Sequence, residues 1–236
     1  MVKKVFLFDV DGTLTPPREA MTQEFVEFFT TWALNKRVFL VSGSDYNKLK
    51  QQLPWSLLES IEGVFGCMGS TFHSAGYCLY RRSFQVPEEL RSMLSEQLEQ
   101  SNFPLRTGNH MEGRPGMLNF SIVGRNASRE ERRAYFEYDS THKERERIAQ
   151  AINDKYDNID AAVGGEISID IYPSGADKSQ ILSELPQSPF VFFGDRMAKG
   201  GNDYALAHVL QSNPDNTLHP VDSYEETWEI LRKHYC

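Results

Sequence analysis

The stretch VFLFDVDGTLTPPR, from Val5 to Arg18, decides how this chain is read. An apolar run, predicted as a strand over Lys4–Phe8, delivers Asp9 and Asp11 into a turn that contains Gly12. A short apolar run bounded by a turn marks a strand buried on both faces, and such strands belong to parallel sheets. Two carboxylates at its end are costly unless a positive partner joins them.

Outward from that stretch the pattern alternates. In TQEFVEFFTTWALN the apolar residues Phe25, Phe28, Phe29, Trp32 and Ala33 recur at helical spacing, which predicts a helix from Thr22, its N-cap, to Asn35. A strand at Arg37–Val41, a helix at Asp45–Leu53 and a strand at Gly63–Phe65 follow. Strand, helix and strand form one right-handed βαβ unit, whose ligands bind beyond the carboxyl ends of the strands. Asp9 and Ser42 lie at those ends.

The pattern changes after Arg82. PEELRSMLSEQLEQ puts Leu90, Met93, Leu94 and Leu98 on one helical face, and a single long helix is expected from Arg129 to Asp154 behind the capping box Ser128-x-x-Glu131. Two alternating strands accompany them. Leu118, Phe120 and Ile122 oppose Asn119 and Ser121, while Ile167, Ile169 and Ile171 oppose Glu166, Ser168 and Asp170. This is an α+β insert whose antiparallel sheet is expected to keep a free polar face. Then SPFVFFGDRMAKGGNDYALAHVL restores the α/β pattern: a buried strand, Phe190–Phe193, ends at Asp195, and a helix opens near Asn202. The expected architecture is therefore an α/β core with a parallel sheet, residues 1–82 and 177–236, carrying an inserted α+β cap, residues 83–176.

Composition limits the partners. Thirty-three acidic against 25 basic side chains give a net charge of -8, which argues against nucleic acid and anionic membranes as partners. Cys67, Cys78 and Cys236 are odd in number and lack metal-ligand spacing, which points to free thiols in a reducing compartment. The opening apolar run meets Asp9 too early for a signal peptide, and no apolar run of about 18 residues follows, so a cytoplasmic protein is expected.

Two aspartates after one strand and a third after another make an oxygen cage suited to Mg²⁺. A calcium loop counted from Asp9 fails, because Leu14 and Ala20 stand where Gly and Glu are needed. No phosphate-binding loop of the Walker type occurs. For phosphoryl transfer, a carboxylate such as Asp9 is a nucleophile already ionised at neutral pH, and Asp11 is placed to act as general acid and base. Ser42 and Lys178 are expected to hold phosphoryl oxygens, Lys178 from the start of another helix.

DVDGTLT, the serine-bearing second strand end, the later Lys178 and GD...GGND together resemble the haloacid dehalogenase superfamily of aspartate-dependent phosphotransferases. EGRPGMLNFSIVGRNASREER, GGEISIDIYPSGADK and FFGDRMAKGGNDY are similar to segments of eukaryotic-type phosphomannomutases over nearly the whole chain. That resemblance implies a Rossmann-like core, a mobile cap and a homodimer joined through caps. It implies interconversion of mannose 6-phosphate and mannose 1-phosphate through a hexose 1,6-bisphosphate, in service of GDP-mannose biosynthesis. It assigns Asp9 as nucleophile, Asp11 as general acid and base, Asp9, Asp11 and Asp195 as Mg²⁺ residues with Asp203 supporting them, and Arg18, Arg114, Arg125, Arg132, Ser168 and Asp170 as sugar-phosphate contacts. Ser42 fits the second motif of the superfamily and Ser44 that of the mutases. The arginines have a chemical reason, since a substrate that turns end for end must have its idle phosphate gripped bidentately. Four segments depart from the family pattern: GCMGSTFH replaces AENG, SGSD replaces GGSD, GADK replaces GWDK and GDRM replaces GDKT, and Val209 stands where a further cation site would have an acid. The rival readings are a sugar-phosphate phosphatase of the same superfamily and a noncatalytic sugar-phosphate sensor.

Overall fold

The structure, a computed structural model, describes residues 3–17 and 19–236. The chain divides into two compact units, one of Met1–Arg81, Ala176–Lys199 and Asp203–Cys236, the other of Arg82–Gly175 and Gly200–Asn202. The first unit begins with β1 (Val5–Phe8), α1 (Gln23–Ala33), β2 (Arg37–Val41), α2 (Tyr46–Gln52), α3 (Trp55–Ser60), β3 (Gly63–Gly66), β4 (Thr71–Ser74) and β5 (Tyr77–Arg81). The second unit supplies α4 (Glu88–Gln100), β6 (Met111–Arg114), β7 (Met117–Phe120), α5 (Arg129–His142), α6 (Glu144–Lys155), β8 (Ile159–Gly164) and β9 (Ser168–Pro173). The first unit resumes with a 3₁₀ helix at Lys178–Ser183, then β10 (Phe190–Gly194), α7 (Tyr204–Gln211), β11 (Thr217–Pro220) and α8 (Tyr224–His234).

The first unit is built on a seven-stranded sheet in the order β11-β10-β1-β2-β3-β4-β5. The first five strands of that order are parallel; β4 and β5 add an antiparallel hairpin that the sequence reading did not contain. Alternation along β1 divides the core. Phe6 and Phe8 join Val38, Leu40, Val191 and Phe193 beneath Phe25, Phe29 and Trp32 of α1. Val5 and Leu7 join Phe39, Val41 and Phe192 on the opposite face, against Ile181, Leu206 and Leu210. Both faces are covered, which is why these strands read as unbroken apolar runs.

The helix boundaries shift slightly from expectation. Thr22 has extended backbone but its side chain caps nothing, whereas Asp45 caps α2 by accepting from the Lys48 N–H. The helix expected near Asn202 opens at Tyr204, and the segment after Asp177 is 3₁₀ in form.

The second unit carries a four-stranded antiparallel sheet, β6-β7-β9-β8, where two strands were expected. Leu118, Phe120, Ile169 and Ile171 pack one face against Leu90 and Leu94 of α4, Tyr135 of α5 and Ile148 and Ile152 of α6. Two expectations are corrected here. The long helix is two helices, because Lys143 takes a left-handed conformation (φ 53°) between the capping-box helix α5 and its successor α6. The polar sheet face is not solvated: Asn119, Ser121, Ser168 and Asp170 are each at most 4% exposed. Buried polar groups of this kind need partners, and each of these four side chains has one, although Asn119 Oδ1 is left without.

Candidate active site

β10, β1 and β2 are neighbours in register, so Asp9, Asp195 and Ser42 follow adjacent parallel strands at one edge of the sheet. The backbone makes the turn after β1 tight: the N–H groups of Thr13, Leu14 and Thr15 all donate to the Val10 carbonyl. Gly12 is required twice over, by its φ of +87° and because a Cβ there would lie 2.7 Å from an Asp195 carboxylate oxygen.

Lys178, fully buried at the start of the 3₁₀ helix, donates through Nζ to Asp9 Oδ1 at 2.5 Å and to Asp203 Oδ1 at 2.7 Å. Thr13 Oγ1 donates to the other Asp9 oxygen at 3.3 Å. Asp203 Oδ2 accepts from the Arg196 N–H, which holds the loop after β10. Asp9, Asp195 and Asp203 each offer an oxygen within 4.8 Å of the others. Three carboxylates thus gather round the Lys178 ammonium, with the Arg196 guanidinium 3.6 Å from Asp195, and their burial and mutual repulsion show at Asp9 and Asp195. Burial, with Asp203 and Asp195 nearby, raises Asp9 well above the ordinary carboxylate range despite Lys178. Burial and Asp203 push Asp195 up to about 6. Burial would lower the Lys178 ammonium, but Asp203 and Asp9 more than offset it and raise it. A hard divalent cation would offset the negative charge that Lys178 and Arg196 leave unbalanced, so this oxygen donor set fits Mg²⁺.

Asp11 does not join that cluster through its side chain. Its Oδ1 accepts from Gln52 Nε2 at 2.8 Å and its Oδ2 from Ser44 Oγ at 3.4 Å. Ser42, also buried, uses its Oγ to accept the Ser44 N–H at 3.0 Å. Gln52, which the sequence reading did not single out, lies at the end of an amphipathic helix and carries no motif of its own.

In the second unit Arg114 and Arg125 share one Glu112 oxygen, at 2.6 and 2.9 Å, and Arg125 Nη1 donates to Ser168 Oγ at 2.6 Å. Asn119 Nδ2 donates to Asp170 Oδ1 at 2.5 Å. Arg132 donates to the Ala127 and Arg125 carbonyls while its Nη1 is buried without a hydrogen-bond partner. Burial and the nearby Arg125 charge lower its pKa, as expected where a cation lacks a full complement of acceptors. Of the predicted residues, Arg114, Arg125 and Ser168 are joined in one network with Glu112, Arg132 of α5 reaches the Arg125 carbonyl, and Asp170 shares the buried polar face with Ser168; Arg18 lies outside the described residues. Glu112 and Asn119 were missed as site residues, and only the alternation that put Asn119 opposite Leu118 hinted at either.

The eukaryotic phosphomannomutase family model matches residues 25–235. The phosphomannomutase of Dendrobium officinale is 34% identical over 240 residues, spanning 98% of this chain and 94% of that protein. Phosphomannomutase 2 of Dictyostelium discoideum is 34% identical across 91% of this chain and 93% of its own length. Among solved structures, the C-terminal domain of Candida albicans trehalose-6-phosphate phosphatase superposes with a TM-score of 0.64 at 15% identity, covering 97% of this chain and 90% of that one. Plasmodium falciparum IMP-nucleotidase superposes at 0.65 with 15% identity, covering 98% and 68%. At that identity the structures establish the shared fold alone, a unit with a largely parallel sheet and a second unit with an antiparallel sheet. The sequence matches reach further, and the chain belongs to the eukaryotic phosphomannomutase family.

Proposed function

We propose that this chain is a phosphomannomutase that interconverts mannose 6-phosphate and mannose 1-phosphate through a phosphorylated Asp9 and a hexose 1,6-bisphosphate. The observation that carries this reading is the buried Asp9–Lys178–Asp203 chain with Asp195 beside it, in a protein of that family.

Asp9 attacks one phosphorus of the bisphosphate, the bond from that phosphorus to the sugar oxygen breaks, and Asp11 gives its proton to the leaving oxygen. A hexose monophosphate then presents its one free hydroxyl to phospho-Asp9, passes that proton to Asp11 and takes the phosphoryl group; the bisphosphate so formed turns end for end, and Asp9 takes its other phosphoryl group, which leaves the isomeric monophosphate. Lys178 favours the ionised form of Asp9 against the effect of burial and aims it, and Asp203 fixes Lys178. Gln52 and Ser44 hold the Asp11 carboxylate in place between its two proton transfers. The serine that holds a phosphoryl oxygen is Ser44, whose hydroxyl donates to Asp11, or Ser42, whose hydroxyl accepts the Ser44 N–H. Asp9, Asp195 and Asp203 would hold Mg²⁺, which when bound shields the phosphoryl oxygens from the carboxylates. Arg114, Arg125 and Arg132, with Arg18, grip the phosphate that is not reacting, while Ser168 and Asp170 read the sugar hydroxyls. Family membership alone supports the remaining parts of the proposal, a cytoplasmic homodimer joined through its caps and an output of mannose 1-phosphate for GDP-mannose synthesis.

Phosphorus NMR tests the reading. Purified protein with mannose 1-phosphate, Mg²⁺ and a trace of hexose 1,6-bisphosphate is expected to yield mannose 6-phosphate with little inorganic phosphate, and Asp9→Asn is expected to yield neither. Predominant inorganic phosphate would make the protein a phosphatase, and binding without turnover of any sugar phosphate would make it a sensor.

A further inference from the structure

Arg145, near the start of α6, is buried in the second unit and has no role in the function proposed above. Its backbone N–H donates to Asp139 Oδ1 at 2.8 Å and its Nε to Asp139 Oδ2 at 2.7 Å, so one buried carboxylate fixes the residue at both ends. The remaining arm reaches the turn between β8 and β9. Nη1 donates to the Gly165 carbonyl at 2.8 Å, with the Gly164 and Ser168 carbonyls at 3.4 and 3.5 Å.

A buried ion pair seldom adds net stability over apolar residues of the same volume, so its presence calls for another reason. The turn supplies one. Gly164 and Gly165 have no side chains to pack, and glycine backbone is otherwise free to take many conformations, so their carbonyls are the available handles. Gly164 pairs with Ser168 in the register of the two strands. A Cβ on Gly164 would lie 2.4 Å from Asp170 Oδ2, so its backbone is the wall on which the Asp170 carboxylate rests, with Asn119 on the other oxygen.

We propose that Arg145, anchored by Asp139, is a positioning residue for sugar recognition: by clamping the Gly164–Gly165 turn it sets the Ser168 hydroxyl and the Asp170 carboxylate. The inference rests on the reading of Ser168 and Asp170 as sugar contacts. It also accounts for the break between α5 and α6. The left-handed Lys143 turns the chain so that Arg145 faces Asp139 from the following helix, and Tyr135 Oη secures the same junction by donating to Glu144 at 3.1 Å.

Steady-state kinetics with mannose 1-phosphate as the varied substrate test it. Arg145→Lys keeps a cation beside Asp139 but lacks the planar fork that spans to the turn. Its KM is expected to rise about tenfold with kcat within about twofold and a melting temperature close to the parent's. Asp139→Asn, which keeps the guanidinium and weakens its anchor, is expected to raise KM in the same direction, and it carries the test should Arg145→Lys fail to fold. An unchanged KM, or a fall in kcat at unchanged KM, overturns the proposal. Ser168→Ala separates the two layers. If it raises KM while Arg145→Lys does not, the positioning role alone is wrong; if Ser168→Ala also leaves KM unchanged, the reading of that face as the sugar site is wrong and the inference falls with it.

Discussion

Gln52 Nε2 donates to Asp11 Oδ1 across 2.8 Å, joining the end of α2 to the turn after β1. The same amide nitrogen lies 3.4 Å from Thr15 Oγ1. A buried amide with two partners on one turn holds that turn's carboxylate in a single orientation. Gln52→Leu, close in volume but unable to donate, is expected to lower kcat about tenfold or more while KM changes little. Steady-state kinetics check this, and a variant with parental kcat would remove Gln52 from the mechanism.

Among the described residues, Lys178 is the one ammonium paired with Asp9 and Asp203, both buried. Lys178→Met is therefore expected to abolish turnover and to destabilise the fold by about 3 kcal/mol, the cost of leaving buried carboxylates without their partner. Denaturant unfolding of the metal-free protein measures the second effect. A variant as stable as its parent would show that the carboxylates are protonated or hydrated in the folded state.

Mg²⁺ should stabilise the protein by mass action, by about 2.7 kcal/mol at a hundredfold excess over its Kd. Thermal melts across a Mg²⁺ series are expected to show a rising midpoint. Asp195→Asn is expected to remove most of that rise, and in chelator to melt no lower than the parent, because it relieves repulsion among Asp9, Asp195 and Asp203. A Mg²⁺ response that survives the substitution would place the ion elsewhere.

The hairpin joining β4 and β5 turns at Ala75 and Gly76, with φ of +47° and +82°. Two consecutive positive φ values are what Asn-Gly accommodates best, and alanine there is strained. Because Ala75 is exposed, Ala75→Asn is expected to stabilise the protein by about 0.5–1 kcal/mol with activity unaltered. A loss of stability in urea unfolding would show that the turn is not strained.

His219 stacks on Phe193 with ring centroids 4.5 Å apart, and its Nε2 is 2.8 Å from Tyr235 Oη. Burial, then the charges of His234 and Lys4, lower its pKa from the ordinary 6.5. The unfolded chain then takes up the proton more readily, so the contribution of His219 is intact above that value and is lost as pH falls through 6.5 toward the depressed pKa. The melting temperature is expected to fall between about pH 7.5 and pH 5, and less steeply in His219→Gln. Parallel profiles for parent and variant would assign the acid sensitivity to other groups.

Much of this molecule is legible in one dimension. The runs VFLF, RVFLV and FVFFG announce buried strands because both faces of a parallel sheet must be apolar, and the aspartates that follow the first and last of them fall at the same edge because parallel strands end together. The alternation in Leu118-Asn119-Phe120 and Ile169-Asp170-Ile171 separates core from polar face for an equally local reason, the two-residue pleat. Motif order across the chain indicated the family.

What the sequence left open is of another kind. MEGR and IDAAVG are weak as strands by composition and become β6 and β8 because neighbouring strands complete their hydrogen bonds. The helix expected from Arg129 to Asp154 breaks at Lys143, where Asp139, Arg145, Tyr135 and Glu144 repay a left-handed residue with buried hydrogen bonds. The face expected to be solvated is buried. The partnerships within each unit, Lys178 with Asp9 and Asp203 and Gln52 with Asp11 in the first, Glu112 with two arginines and Arg145 with the Gly164–Gly165 turn in the second, join positions with no common periodicity. Periodicity records which face of an element is apolar; which polar side chains meet is decided only when burial forces each charge to find its counter-charge in three dimensions.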